Sequence, residues 1–169
     1  MVPLESRDAY AEEVGFVDGF PVASDGKRAW LTHCYGMLGV GRDYAFNSGN
    51  GAELYVVTGH APRHLDRNVT LIGRVLSGVE TLSSLPRGTG FLGFYEDEKE
   101  NVEISRIRFG DDIPESERAK LQILKTETRT FQNYVQSRTF RKESWFADPA
   151  GRIEICNVQV PTRELKSEN

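Results

Sequence analysis

Cysteine is the scarcest informative residue of this 169-residue sequence: only Cys34 and Cys156 occur. Two cysteines exclude a disulfide framework. They leave a pair of buried thiols, the commoner state of free cysteine, or one long-range bond, and the first is the expectation. Positive charge is also in short supply, with 21 lysines and arginines against 25 acids. No basic tract interleaved with aromatics appears, so nucleic acid is not an expected partner. The stretch from Met1 to Gly15 has acids early and no apolar run, unlike a secretory signal or membrane anchor. The chain as written is therefore expected in the cytoplasm and off the membrane. Internal repeats are lacking too.

Most catalytic signatures are missing. His60 and His64 stand four apart, a metal-pair spacing on a helix, but Pro62 between them argues against that helix. With no His-Glu-x-x-His either, neither metal nor cofactor is expected. No Gly-x-Ser-x-Gly turn occurs, and His33 beside Cys34 is too close in sequence to be informative. Gly39-Val40-Gly41 lacks the third glycine and the helix of a phosphate loop.

The chain does have length enough for a core and an ordinary globular composition. Residues 1–29 are poorly patterned and read as an irregular N-terminal segment, with a turn at Ser24-Asp25-Gly26-Lys27 and a short strand at Val14–Val17. Apolar, glycine-flanked or β-branched runs predict strands at Cys34–Val40, Leu54–Val57 and Val69–Val75. Gly39 and Gly41 mark a close approach to the backbone. Ser77 is placed to cap a short helix carrying Val79, Leu82 and Leu85. Val102, Ile104, Ile107 and Phe109 alternate as a strand with one slip. Pro114 opens a predicted long helix to about Arg138, with Leu121, Leu124, Thr128, Phe131 and Val135 at helical spacing. A last strand is expected over Ile153–Val158, and Arg163–Asn169 are expected to fray. Short strands with few helices predict a mainly β barrel or sandwich with a helical appendage.

The order of pieces from Gly36 to Leu85 resembles the cyclophilin-type peptidyl-prolyl cis-trans isomerases, in their divergent bacterial branch. Gly36-Met37-Leu38-Gly39-Val40-Gly41 looks like the strand ending in "GxLSMA", and Asn50-Gly51-Ala52-Glu53-Leu54-Tyr55-Val56 like "NGSQFFI". His64-Leu65-Asp66 looks like "xWLDG", Val69–Val75 like "HVVFGKV", and Ser77-Gly78-Val79-Glu80 like "xGMxVV". Val102–Gly110 is similar to the closing strand. The resemblance implies a partial cyclophilin-like barrel over residues 30–110, followed by a helix-plus-strand extension over 111–169. It implies a groove for proline-containing peptides or unfolded proteins. Tyr55 stands where a phenylalanine packs on the proline ring, Leu65 is a second wall, and Glu53 replaces a backbone-binding glutamine. His64 stands at a tryptophan position, Val69 at a histidine position, and Gly41 and Arg42 lie along the peptide.

The activity so implied is rotation of an Xaa–Pro amide during protein folding, over a barrier of about 18–20 kcal/mol. An apolar cup holds the ring, and a donor aimed at the prolyl nitrogen favours the twisted amide. In the family that donor is the arginine of "FHR", followed by "QGGD"; neither motif occurs here. Without it, a single preorganised donor worth about 3–4 kcal/mol is lost, and no catalytic residue is assigned. Isomerase, proline-peptide binding module without turnover, and inactive fragment remain alternatives. A chain beginning after those strands is expected to self-associate through an open barrel edge. A longer parent chain is expected in the periplasm.

Overall fold

The structure, a computed structural model, describes residues 1–165. Three antiparallel sheets carry it. The first contains β1 (Val2–Pro3), β2 (Glu13–Val17), β3 (Phe20–Ser24) and β4 (Ala29–Leu31), in chain order. The second places β5 (Met37–Val40) between β6 (Leu54–Val56) and β7 (Thr70–Arg74). The third pairs β8 (Leu121–Ile123) with β9 (Thr162–Glu164). Two helices, α1 (Val79–Ser83) and α2 (Arg129–Thr139), complete the fold. The architecture is mainly β with helical parts. Its sheets remain separate among the described residues, so the staves do not close into one barrel.

The first sheet corrects the reading of residues 1–29 as irregular. Asp18 and Gly19 both take positive φ, 48° and 82°, and join β2 to β3 with Val17 opposite Phe20. Asp-Gly is the pair that a two-residue hairpin turn of this hand requires. Apolar residues flank it in the sequence, so the signal was present. The turn at Ser24–Lys27 forms as expected: the Asp25 carboxylate accepts from the backbone N–H groups of Lys27 and Arg28. The guanidinium of Arg28 also bonds it, and these bonds lower its pKa to about 2.

The C-terminal third departs most from expectation. Pro114 opens only a 3-10 turn over Glu115–Glu117. The long helix from Pro114 is not formed, because Leu121–Ile123 pairs instead with Thr162–Glu164. The helix starts at Thr128, whose Oγ1 accepts from the Phe131 N–H at 3.3 Å. Likewise Gly78, in the left-handed region, precedes α1, and Ser77 does not cap it. The strand expected over Ile153–Val158 is replaced by a 3-10 turn at Ile155–Asn157, with the strand displaced to β9. Arg163 and Glu164, expected to fray, belong to that strand, while 166–169 lie outside the described residues. Val102–Phe109 forms no strand among the described residues, and Val102, Ile104, Ile107 and Phe109 are exposed.

One core nevertheless draws on all three expected domains. Leu4, Val14, Phe16 and Ala23 meet Met37 and Val57, together with Phe131, Ile155, Val158 and Val160. Phe16 and Phe131 meet edge-on at 4.9 Å between centroids, tying the first sheet to α2. Cys34 and Cys156 are joined in a disulfide across 122 residues, overturning the expectation of two thiols. The bond fastens the segment entering β5 to the C-terminal 3-10 turn. In the chain-entropy account, a loop of this size stabilises by about 4–5 kcal/mol. Urea unfolding of Cys156→Ser is therefore expected to show a loss of that order, and thiol titration of the unfolded, unreduced wild type is expected to find no free thiol. Two titratable thiols and an unchanged midpoint would refute the bond.

Candidate functional site

The site grows from a buried carboxylate. Asp66 closes the short 3-10 turn Arg63–Leu65, where Pro62 supplies the entry and Asp66 the exit. Its Oδ1 accepts from the His33 backbone N–H and meets His33 Nδ1, both at 2.9 Å. Its Oδ2 accepts from Arg63 Nε at 2.6 Å. Arg63 is itself buried and donates through Nη1 and Nη2 to the two oxygens of Asp8 at 2.8 and 3.1 Å. A carboxylate only accepts, so His33 Nδ1 carries a hydrogen; in the neutral ring Nε2 then accepts from the Tyr55 hydroxyl at 2.8 Å. The His33 and Tyr55 rings are near parallel.

The electrostatics follow from burial and pairing. Burial alone would raise the Asp66 pKa, but hydrogen bonds from His33 and Arg63 outweigh it and hold the group below the ordinary carboxylate value. Burial likewise works against Arg63 and is overcome by Asp8 and Asp66. The Tyr55 phenol is pushed up, first by burial and then by the Asp66 charge, so it remains a neutral hydroxyl.

Tyr55 lies opposite Gly39 across β5 and β6, and its ring occupies the space that a side chain at 39 would fill. Gly41 plays the same part for Glu53: it donates its N–H to the Glu53 carbonyl at 2.7 Å, and a Cβ at 41 would stand 2.9 Å from Glu53 Cβ. The close approaches expected at Gly39 and Gly41 are thus made by Tyr55 and Glu53. Arg42 bonds the carbonyls of Asn68, Asp43 and Tyr44, and stacks 4.7 Å above Phe46. Asn68 in turn bonds the carbonyls of His64 and Asp66. Leu65 is half-buried beside Asp66, and His64 is exposed.

The C-terminal end of β5, the start of β6 and the 63–68 turn therefore bring Gly41, Arg42, Glu53, Tyr55, His64 and Leu65 to one region of the second sheet. None of the six lines the larger clefts described on this molecule. His33, Arg63 and Asp8 were missed by sequence reasoning. In the sequence, His33 next to Cys34 is uninformative, and nothing local couples Asp8 to Arg63, 55 positions away. Arg67 also stands out: with φ 67° it sits in the left-handed region that favours glycine, the residue following Leu-Asp in the "xWLDG" pattern.

Removing one partner of a buried pair leaves an uncompensated charge and costs about 3–5 kcal/mol. Asp66→Asn is expected to lose that much in urea unfolding, because it strands Arg63. The folded pKa of Asp66 lies below the unfolded value of about 3.9, so its contribution is full above that value and fades as pH falls through the folded one. Wild-type stability should therefore drop in acid more steeply than that of Asp66→Asn; parallel profiles would show that Asp66 is not held ionised.

Similarity to known proteins bears on the family and the fold. The family model described as "Cyclophilin type peptidyl-prolyl cis-trans isomerase/CLD" matches residues 4–109, reaching further toward the N-terminus than the resemblance read from the motifs. Among solved structures, the cyclophilin AquaCyp293 from Hirschia baltica superposes with a TM-score of 0.66 at 21% identity, over 98% of this chain. The chain spans 59% of that protein's length. No curated protein sequence matches. With the family match extending over most of its residues, the chain belongs to the cyclophilin-type peptidyl-prolyl cis-trans isomerase family.

Proposed function

We propose that the protein acts on Xaa–Pro bonds of unfolded or proline-containing chains, and that Gly41, Arg42, Glu53, Tyr55, His64 and Leu65 contribute the peptide-contacting side of its groove. One observation carries the reading. Tyr55, placed by the family pattern against the prolyl ring, is fixed by Gly39 beneath it and by His33 at its hydroxyl, so its ring offers a preset apolar face. A rigid face loses little entropy on binding. Glu53 is exposed two residues before it, and Gly41, with no side chain of its own, lets Glu53 pack close against β5.

A second reading, binding without turnover, is favoured by Arg42. Its guanidinium is held through Nε and Nη1 by three carbonyls and lies over the Phe46 ring, so swinging it toward a prolyl nitrogen would cost those bonds. In that reading the groove holds a proline segment, and isomerisation keeps its uncatalysed time of tens to hundreds of seconds. The Cys34–Cys156 bond supports work in an oxidising compartment such as the periplasm, in place of the cytoplasm inferred from the first residues.

Both readings are tested by titrating an Ala-Pro tetrapeptide into labelled protein while recording its cis–trans exchange by NMR. Shift changes are expected at residues 39–42 and 53–55, and Tyr55→Ala should weaken binding about tenfold, the worth of one buried aromatic contact. Exchange above the uncatalysed rate selects isomerisation; binding with unchanged exchange selects the holding role. Shifts elsewhere, or none, would remove both.

A further inference from the structure

An open cleft of about 740 Å³ lies away from these residues, between the N-terminal loop, the end of α2 and the segment before the C-terminal 3-10 turn. Arg7, Arg138, Arg141 and Arg152 line it, with Glu154 the one carboxylate among the lining residues. This concentration of one sign runs against the chain's net charge of -4. Two of the arginines have local work. Arg138 sits in the last turn of α2, where a cation is favoured, and stacks on Tyr134; Arg141 pairs with Glu143 and stacks on Phe146. Arg7 and Arg152 have none: among the described residues neither forms an ion pair, a side-chain hydrogen bond or a cation–π contact. Folding has brought them, from opposite ends of the sequence, onto one cleft whose like charges repel.

We propose that this cleft binds an acidic peptide segment, with its carboxylates taken by Arg7 and Arg152 and supported by Arg138. Guanidinium groups are suited to carboxylates because their planar donor fork permits two parallel hydrogen bonds. The arginines come from three separate chain segments and line the cleft together with Tyr134, which suits several charges carried along one chain. The cleft's size is within the range of ligand sites. Its residues are independent of the proposed proline groove, so each can fail without the other.

The experiment is fluorescence anisotropy of the whole protein with a fluorescein-labelled, proline-free oligoglutamate, which gives the proline groove no ligand. Saturable binding is expected, falling steeply with added salt. R7Q/R152Q should weaken it at least about tenfold while circular dichroism stays unchanged, since both side chains are exposed. R152Q alone should give an intermediate loss, and serves if the double variant misfolds. Absence of saturable binding, or equal binding by folded R7Q/R152Q, would overturn the proposal. Tighter binding of tripolyphosphate than of the peptide, by competition, would overturn the peptide as the ligand class.

Discussion

Asp66 holds together four stretches of the chain that are separate in sequence. Its two oxygens reach the backbone and ring of His33, just before β5, and the guanidinium of Arg63 in the turn before β7. Through Arg63 the network extends to Asp8 in the N-terminal loop, and through His33 to Tyr55 on β6. Four stretches are thus referenced to one buried carboxylate. Ions taken out of water are tolerated only when partners replace the lost hydration, and here both Asp66 oxygens and three Arg63 nitrogens find them. Such a network is intolerant of partial loss, which fixes the position of the Tyr55 hydroxyl as well as the fold.

A second constraint is covalent and apolar. The disulfide holds the C-terminal 3-10 turn against the entry to β5, and Phe131 brings α2 onto Phe16. Ile155, Val158 and Val160 then complete a core begun by the first sheet. The C-terminal third is therefore part of the folding unit. Its attachment also builds the arginine-lined cleft, since Cys156 and Arg152 line it together with Arg7.

The two proposed binding regions differ in physical kind. The face around Tyr55 is apolar at its centre and held in place by the His33 hydrogen bond to its hydroxyl, which suits a prolyl ring. The cleft around Arg7 and Arg152 is open and cationic, and attracts by charge. A chain segment carrying both proline and acidic residues has features that match each. Arg42, tied down by carbonyls, contributes to the shape of the first region more than to its electrostatics.

Family membership and the second sheet were legible because short apolar runs at Met37–Val40, Leu54–Val56 and Thr70–Arg74 carry their own periodicity and turn residues. The Asp18-Gly19 hairpin is equally local, but the glycines and proline around it, Gly15, Gly19, Pro21 and Gly26, mask the period of the strands it joins. Leu121–Phe131 could not be read alone: its spacing fits a helix, and only pairing with Thr162–Glu164 makes its first part a strand. Nor could the Cys34–Cys156 bond or the Asp8–Arg63–Asp66–His33 network be read, since each joins residues far apart in sequence. The sequence by itself determined local conformation wherever a run's own sterics and hydrophobic period decide it, and through its motifs the family. Which charges are buried, which cysteines meet and which arginines share a cleft were decided only by the tertiary structure, because those energies depend on distance and solvent exclusion that no short stretch of chain contains.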